Sequence, residues 1–286
     1  MVTSVGEIVS ALAERFDRVG IESALADAEL IVGHVAGWTR GEVATKSFMG
    51  VELGETLAAE INVLAGRRES REPLQHITGE SPFRHLVLAV GPGVLVPRPE
   101  TELIAEWAID ALRQIPSPRP RAVDLGTGTG ALALALATEV PNAEVFAIEL
   151  SAVAAEWAQR NIARYGDERV TLVIGDVSSA LPELNGTIDV VVANPPYIPD
   201  SEKPLDIEVL GYDPEVALFG GEDGLRDIRV FIARAALLLR PGGTLVVEHG
   251  DGQGEAVRAI ATEAGFTMIT THNDLLQRER ALTAVR

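Results

Sequence analysis

Four consecutive residues, Asn194-Pro195-Pro196-Tyr197, combine an uncharged amide with two stiff imides and a flat phenol ring. An asparagine side chain offers one carbonyl acceptor and an NH2 donor pair, which suits it to orienting an amide or an aromatic amine. Tyr197 adds an amphipathic ring able to cover a planar group or close a pocket. Each proline fixes its own φ and restricts the residue before it, so the chain leaves the preceding element stiffly. That element is Ile188-Asp189-Val190-Val191-Val192-Ala193, an apolar β-branched run of the kind buried on both faces of a parallel sheet. Asn194 then stands at the carboxyl end of a strand, the edge at which open α/β sheets bind ligands. Taken alone, the four residues also fit an ordinary proline-rich loop.

A second group explains what such an amide would face. Asp124-Leu125-Gly126-Thr127-Gly128-Thr129-Gly130 closes one strand and opens a helix. Its glycines let the backbone turn tightly and approach a ligand, whose anionic end can meet the free N–H groups of the helix start. The GxGxG spacing is one residue shorter than the dinucleotide fingerprint. Glu149, ending the next strand, is placed to accept hydrogen bonds from a ribose diol, although a carboxylate at the start of the helix after Ser151 has the same sequence. Asp176 follows the third strand and can accept from an adenine amine, with Val177 beside the ring; a plain Gly-Asp turn is the alternative. Three stations at successive strand ends fit S-adenosylmethionine better than NAD.

The positioning elements follow from periodicity. From Arg121 onward short apolar strands alternate with helical stretches: strands at 122–125, 144–149, 170–174, 188–193 and 244–248, helices at 132–140, 151–165, 225–239 and 254–265. Such alternation predicts βαβ units in a doubly wound parallel sheet, with 267–271 and 281–285 as last strands. Between Ser4 and Ala65 the pattern is helical instead. Ser4 and Glu7 fit a capping box, and apolar faces run through Val5, Ile8, Leu12 and Phe16, then Ile21, Leu25, Ala28, Ile31 and Val35, then Leu57, Ile61 and Leu64. Arg67 to Glu72 reads as a solvated, charged helix end. Leu86 to Val90 and Val94 to Val96, around Gly91-Pro92-Gly93, read as a hairpin linker. In Pro97-Arg98-Pro99-Glu100-Thr101-Glu102, Thr101 or a carboxylate caps the helix through Ile104, Trp107, Ala108, Ala111 and Leu112, or the segment forms a charged loop at a site mouth.

Composition narrows the function. With 286 residues, 47% hydrophobic and 23% charged, the chain can bury a sizeable core in one or two domains. No apolar run reaches the roughly 18 residues of a membrane span, and no signal peptide opens the chain, so a cytoplasmic protein without membrane partners is expected. The absence of cysteine removes disulfides and thiolate chemistry, and the five histidines show no ligand spacing, so no metal is expected. A formal net charge of -18 argues against a large nucleic-acid surface and specific DNA binding.

With these segments in view, the chain resembles the Rossmann-like methyltransferases, and in detail the glutamine methyltransferases of peptide-chain release factors, the HemK/PrmC type. The resemblance is carried by Pro73 to Glu80, by Val96-Pro97-Arg98-Pro99-Glu100-Thr101-Glu102, by the Asp124 to Gly130 loop and by Asn194 to Tyr197 with Ile198. It implies a class I S-adenosylmethionine-dependent fold, an α/β architecture with a seven-stranded, mostly parallel sheet. A small all-helical domain (1–73) that contacts the release factor would be joined to the catalytic domain (97–286) by a β-hairpin linker (74–96). By position, Gly126, Thr127, Gly128, Thr129, Gly130, Glu149, Asp176, Val177 and Asn194 would line the cofactor. Asn194, Pro195, Pro196 and Tyr197 would hold the glutamine of a Gly-Gly-Gln loop, with Asn194, Pro195 and Tyr197 in the catalytic role. The family more often has aspartate at the place of Glu149 and frequently an aromatic at that of Val177. Two other functions remain open: methylation of an adenine amine in nucleic acid, since Asn-Pro-Pro-Tyr is shared with DNA adenine methyltransferases, and a non-catalytic cofactor-binding interaction protein.

Overall fold

The computed structural model describes residues 3–204 and 206–286, in two compact units. One takes the chain up to Glu80 together with a short segment ending at Tyr212; the other takes Ser81–Pro204 and Asp213–Arg286.

The first unit is helical. After the short strand β1 (Thr3–Ser4) come α1 (Val5–Arg18), α2 (Ala24–Ala36) and α3 (Arg40–Phe48), then β2 (Glu52–Leu53), which pairs with β1, then α4 (Glu55–Glu69) and α5 (Leu74–Thr78). The capping box at the start of α1 is formed: the Glu7 amide donates to Ser4 Oγ at 3.3 Å while the Ser4 amide donates to the Glu7 carboxylate at 3.0 Å. Val5, Leu12 and Phe16 are buried together with Ile21, Ala28, Ile31 and Ile61, whereas Leu25 is exposed. α3 escapes the periodicity because Val43 is its only buried side chain; its own capping box, Thr39 with Glu42, marks it instead.

One expectation for this unit is overturned. Arg68 is not on a solvated helix end but is 4% exposed, with Nε 2.7 Å from Asp27 and Nη1 2.8 Å from Glu208. Glu208 lies in α9 (Ile207–Tyr212), the segment contributed from far along the sequence. Further ties to this unit include Arg71, 3.1 Å from Glu208, the Tyr212 hydroxyl, which donates to the Ser70 carbonyl, and the Tyr212 ring edge-on to His76.

The second unit opens with a hairpin of β3 (Glu80–Phe83) and β4 (Leu86–Ala89), turning at Arg84 and His85. Val94 to Val96, expected as a strand, are irregular: the partner of β4 is the segment before it, and Val94 and Val96 bury their side chains without joining a ladder. Then follow α6 (Thr101–Arg113), β5 (Arg121–Leu125), α7 (Ala131–Glu139), β6 (Glu144–Glu149), α8 (Ala152–Tyr165), β7 (Val170–Ile174), β8 (Ile188–Ala193), α10 (Arg226–Leu238), β9 (Leu239–Glu248), α11 (Gly254–Glu263), β10 (Thr267–Asn273) and β11 (Glu279–Val285). The described residues form a seven-stranded sheet in the order β7-β6-β5-β8-β9-β11-β10, parallel from β7 to β9 and antiparallel about β11. Alternate residues of the central strands feed two cores. Val190 and Val192 pack with α6, α7 and the hairpin, while Val191 and Ala193 pack with α10 and α11. Cover on both faces is why these strands read as continuous apolar runs.

Register fixes what reaches the carboxyl edge. Leu125 pairs with Ile148 on one side and Ala193 on the other, and Ala193 pairs with Val247. The next residue of each strand therefore stands in one row: Glu149, Gly126, Asn194 and Glu248.

The buried Arg68 gives the helical unit a sharp dependence on one ion pair. Removing one partner of such a pair leaves the other charge buried and uncompensated, at a cost of about 3–5 kcal/mol. Arg68→Met is expected to lower the denaturant midpoint of the helical signal accordingly, and an apolar replacement of Arg68 and Asp27 together to recover most of the loss. A single-variant effect under about 1 kcal/mol, the scale of exposed pairs, would contradict this placement.

Candidate active site

The glycine loop is held from three sides. Gly126 and Thr127 both donate to the Ile148 carbonyl, at 2.9 and 2.8 Å, tying the loop to β6. Gly126 has φ +74, and a Cβ built there would lie 3.1 Å from the Phe231 ring, so a side chain meets both strain and crowding. Asn161 of α8 is fully buried; its Oδ1 accepts from Ala89 at 2.7 Å, and its Nδ2 donates to the carbonyls of Ala89 and Thr129 at 3.0 and 2.9 Å. One amide thus joins the hairpin to the glycine loop.

Beneath the loop, Asp124 is wholly buried; its Oδ2 accepts from the Thr127 hydroxyl at 2.5 Å and the Ala133 amide at 3.1 Å, binding loop to helix. Burial pushes its carboxyl up to about 7, against the two hydrogen bonds that lower it and with the charge of Glu149 that raises it further. Glu149 uses Oε2 to accept from the Gly128 amide and Oε1 to accept from the Ser151 amide, both at 2.8 Å. Each carboxylate oxygen keeps a further acceptor site, so the helix-start role and a diol-binding role coexist in one side chain. Asp176 accepts from the Ser178 amide at 2.8 Å, and the Ser178 hydroxyl and amide hold its carboxyl below the ordinary range.

A cavity of about 410 Å³ gathers most of these groups. Gly126 to Thr129, Glu149, Asp176, Val177, Asn194 and Pro196 line it, whereas Gly130, Pro195 and Tyr197 do not. Gly130 instead ends the loop in the left-handed conformation and opens α7. Tyr197 packs into the core beside α10 and α11, its hydroxyl 3.5 Å from Glu248 Oε1, and burial followed by the charge of Glu248 raises its phenol well above the ordinary value. The loop after Asn194 is fixed by its carbonyls and amides. Gln253 donates to the Tyr197 carbonyl at 2.9 Å and Ile198 donates to Leu218 at 2.9 Å; a Cβ on Gly224 would come within 2.4 Å of the Tyr197 oxygen.

Pro97, Arg98 and Thr101 also line the cavity. Thr101 is not a helix cap: it makes no capping bond, and its hydroxyl donates to Glu248 Oε2 at 2.8 Å and receives Asn194 Nδ2 at 3.2 Å. The carboxylates of this segment face elsewhere, Glu100 toward Arg278 and Glu102 toward the Arg84 amide, while Arg98 pairs with Asp213. Sequence reasoning passed over Glu248, which is 1% exposed and whose carboxyl burial pushes up to about 7. Its signal was the one used for Glu149, an acid closing an apolar strand. Among the described residues no cluster of histidine and acidic side chains could hold a metal ion, and no helix is long and apolar enough to cross a membrane.

The raised Asp124 sets a sign for stability against pH. An ordinary carboxyl near 3.8 becomes one near 7 on folding, so the folded chain keeps a proton that the unfolded chain releases, and this contribution to stability falls as pH rises through that window. Asp124→Asn retains both acceptor bonds without the charge. Its melting temperature minus that of the parent is expected to climb between about pH 4 and 7 and to level off above. A difference constant across the range would refute the burial argument.

Comparison with known proteins gives a consistent result over nearly the whole chain. Residues 117–280 match a family model described as a methyltransferase domain, and residues 7–79 match the PrmC N-terminal domain. A release factor glutamine methyltransferase of Streptomyces coelicolor is 48% identical, covering 96% of each chain. Proteins of the same name from Mycolicibacterium smegmatis and Bifidobacterium longum are 43% and 40% identical, with at least 98% of each chain covered. In fold, a methyltransferase structure from Pyrococcus furiosus superposes with a TM-score of 0.51 at 21% identity, over 71% of this chain and 89% of that one. The chain belongs to the release factor glutamine methyltransferase family.

Proposed function

We propose that this protein transfers a methyl group from S-adenosylmethionine to the side-chain amide nitrogen of the glutamine in the Gly-Gly-Gln motif of peptide-chain release factors, in translation termination. The observation that carries the reading is Asn194 in one cavity with the glycine loop, Glu149 and Asp176, in a chain related over its full length to proteins of that name.

The residues present fit the cofactor. Glu149 and Asp176 supply acceptors suited to a ribose diol and an adenine amine, Val177, Leu150 and Ala154 supply apolar walls, and Gly128 leaves open the space a side chain would fill. Three carboxylates, Glu149, Asp176 and Asp227, line the cavity and both lining arginines are paired with acids, Arg98 with Asp213 and Arg226 with Asp227, which suits a cationic ligand. When bound, S-adenosylmethionine supplies an electrophilic methyl on a sulfonium.

The chain's own residues then have to present a poor nucleophile. A glutamine amide nitrogen delocalises its lone pair into the carbonyl. Asn194 Oδ1, at the cavity wall, accepts from the amide nitrogen and aims it along one line, while Pro195, which does not line the cavity, stiffens the backbone that carries Asn194. Orientation of this kind in a water-poor pocket is worth up to roughly 7 to 11 kcal/mol for well-aligned groups. Tyr197 supports this clamp from the core side, as a ring packed beneath the loop. The proton in excess after transfer leaves to water; the carboxylates of the Glu100 to Glu102 segment are engaged with arginine or backbone groups.

The test incubates the protein with labelled S-adenosylmethionine and either a release factor, its Gly-Gly-Ala variant, or DNA. Label is expected on the first alone, and label on DNA alone or on the alanine variant would overturn the assignment. Asn194→Ala is expected to bind cofactor with near-parental affinity and to lose turnover by on the order of 10²-fold or more; full turnover would remove Asn194 from the mechanism.

A further inference from the structure

An amide side chain can act as an acceptor toward substrate only if something decides which of its two ends faces the cavity. Oxygen and NH2 have nearly the same shape, so packing alone does not decide, and the hydrogen-bond network must. We propose that Thr101 and Glu248 are a positioning pair that commits the NH2 of Asn194 to the protein and thereby turns its oxygen toward the substrate. The inference rests on Asn194 being the group that holds the substrate amide.

Glu248 closes β9 one strand over from Asn194, and Thr101 lies in the first turn of α6; they are 1% and 5% exposed, so water does not compete for their bonds. The Thr101 hydroxyl is 2.8 Å from Glu248 Oε2. A hydroxyl has one proton, and a carboxylate oxygen accepts, so that proton is committed to Glu248. Toward Asn194, 3.2 Å away, the Thr101 oxygen can then only accept, and the group it accepts from is Nδ2. The reversed amide would set two proton-free oxygens against each other and lose a bond in a buried site. It would also point NH2 at the N–H bonds of the substrate. The other oxygen of Glu248 faces the Tyr197 hydroxyl at 3.5 Å; burial raises this carboxyl, and the Thr101 hydrogen bond and the charge of Arg280 oppose that rise. The direction of the relay holds with Glu248 ionised or protonated on Oε1; a proton on Oε2 would donate to Thr101 and reverse it.

The pair explains why a glutamate with almost no exposed surface stands behind a cavity-lining threonine and asparagine. It also gives Thr101 a use that its helix position does not, since it caps nothing.

The experiment separates positioning from mere support. Thr101→Val keeps the shape and removes the hydroxyl; it is expected to lower kcat about 10-fold or more with the S-adenosylmethionine dissociation constant unchanged within about 2-fold, while Thr101→Ser stays within about 3-fold of the parent. Glu248→Gln, whose amide can donate to Thr101 and so permit the reversed relay, is expected to lower kcat in the same way. In the Asn194→Ala background, Thr101→Val is expected to have no further effect, because nothing is left to orient. Equal losses in Thr101→Val and Thr101→Ser, or full additivity with Asn194→Ala, would overturn the proposal. So would parental kcat in Thr101→Val beside a crippled Asn194→Ala, a result that leaves the role of Asn194 standing. Parental turnover in Asn194→Ala would instead overturn the underlying reading and the pair with it. Melting curves accompany each variant, and should Thr101→Val fail to fold, the Glu248→Gln and Thr101→Ser comparison decides.

Discussion

The register of the parallel ladder is the constraint on which the site depends. Because Ala193 is opposite Leu125 and Val247, and Leu125 is opposite Ile148, four strand-terminal residues share a row: Glu149, Gly126, Asn194 and Glu248. A parallel ladder has evenly spaced bonds and a side-chain period of two, so a slip of one residue in any strand would turn its last side chain to the opposite face. Two apolar cores, one on each face, forbid that slip. The chemistry at the edge is thus specified by hydrophobic burial deep in the sheet, on residues that never meet a ligand.

The same edge is where the protein departs from the usual rule that charges stay in water. Asp124 and Glu248 are fully buried acids, each pushed up to about 7, and each holds a hydroxyl in the correct sense, Thr127 for one and Thr101 for the other. Burying an acid opposes its ionisation and costs stability, so such groups concentrate where a precise arrangement is needed. In one case the arrangement is the glycine loop, in the other the amide that faces the cavity. The two acids do one job in two places: each fixes the direction of a hydrogen bond that shape alone would leave free.

Most strands and helices of the sheet unit were legible because periodicity and turn residues agreed; β6, β7 and β8 fall on the residues read from sequence, and the others differ mainly at their ends. The hairpin was misplaced because Val94 to Val96 look like a strand by composition, while Glu80-Ser81-Pro82-Phe83, two polar residues and a proline before one large apolar side chain, carries no such signal. The glycine loop, Glu149, Asp176, Val177 and Asn194 reach one cavity, as strand-end logic expects, yet Tyr197 turns inward, which no property of the four-residue segment discloses. Asn161 and Glu248 escaped notice for a common reason. A polar residue inside a helical or apolar pattern reads as a surface or terminal position until long-range pairing reveals its partner, and Ala89, Thr129 and Thr101 lie far away in sequence. Arg68 is the same case in the helical unit, hidden among four charged neighbours.

The segment that ends at Tyr212 gives the helical unit a history. During synthesis α1 to α5 leave the ribosome first, and Arg68 can meet Asp27 at once, but Glu208 is made only after β8 and its Asn194 loop. Until then the unit lacks the second carboxylate on Arg68, the partner of Arg71 and the hydroxyl on the Ser70 carbonyl. Helices α1 to α5 are therefore made before the sheet is begun, yet their unit is completed only after β8 has been made. A fragment cut at Glu80 would be a nascent intermediate of this unit and not the mature unit itself.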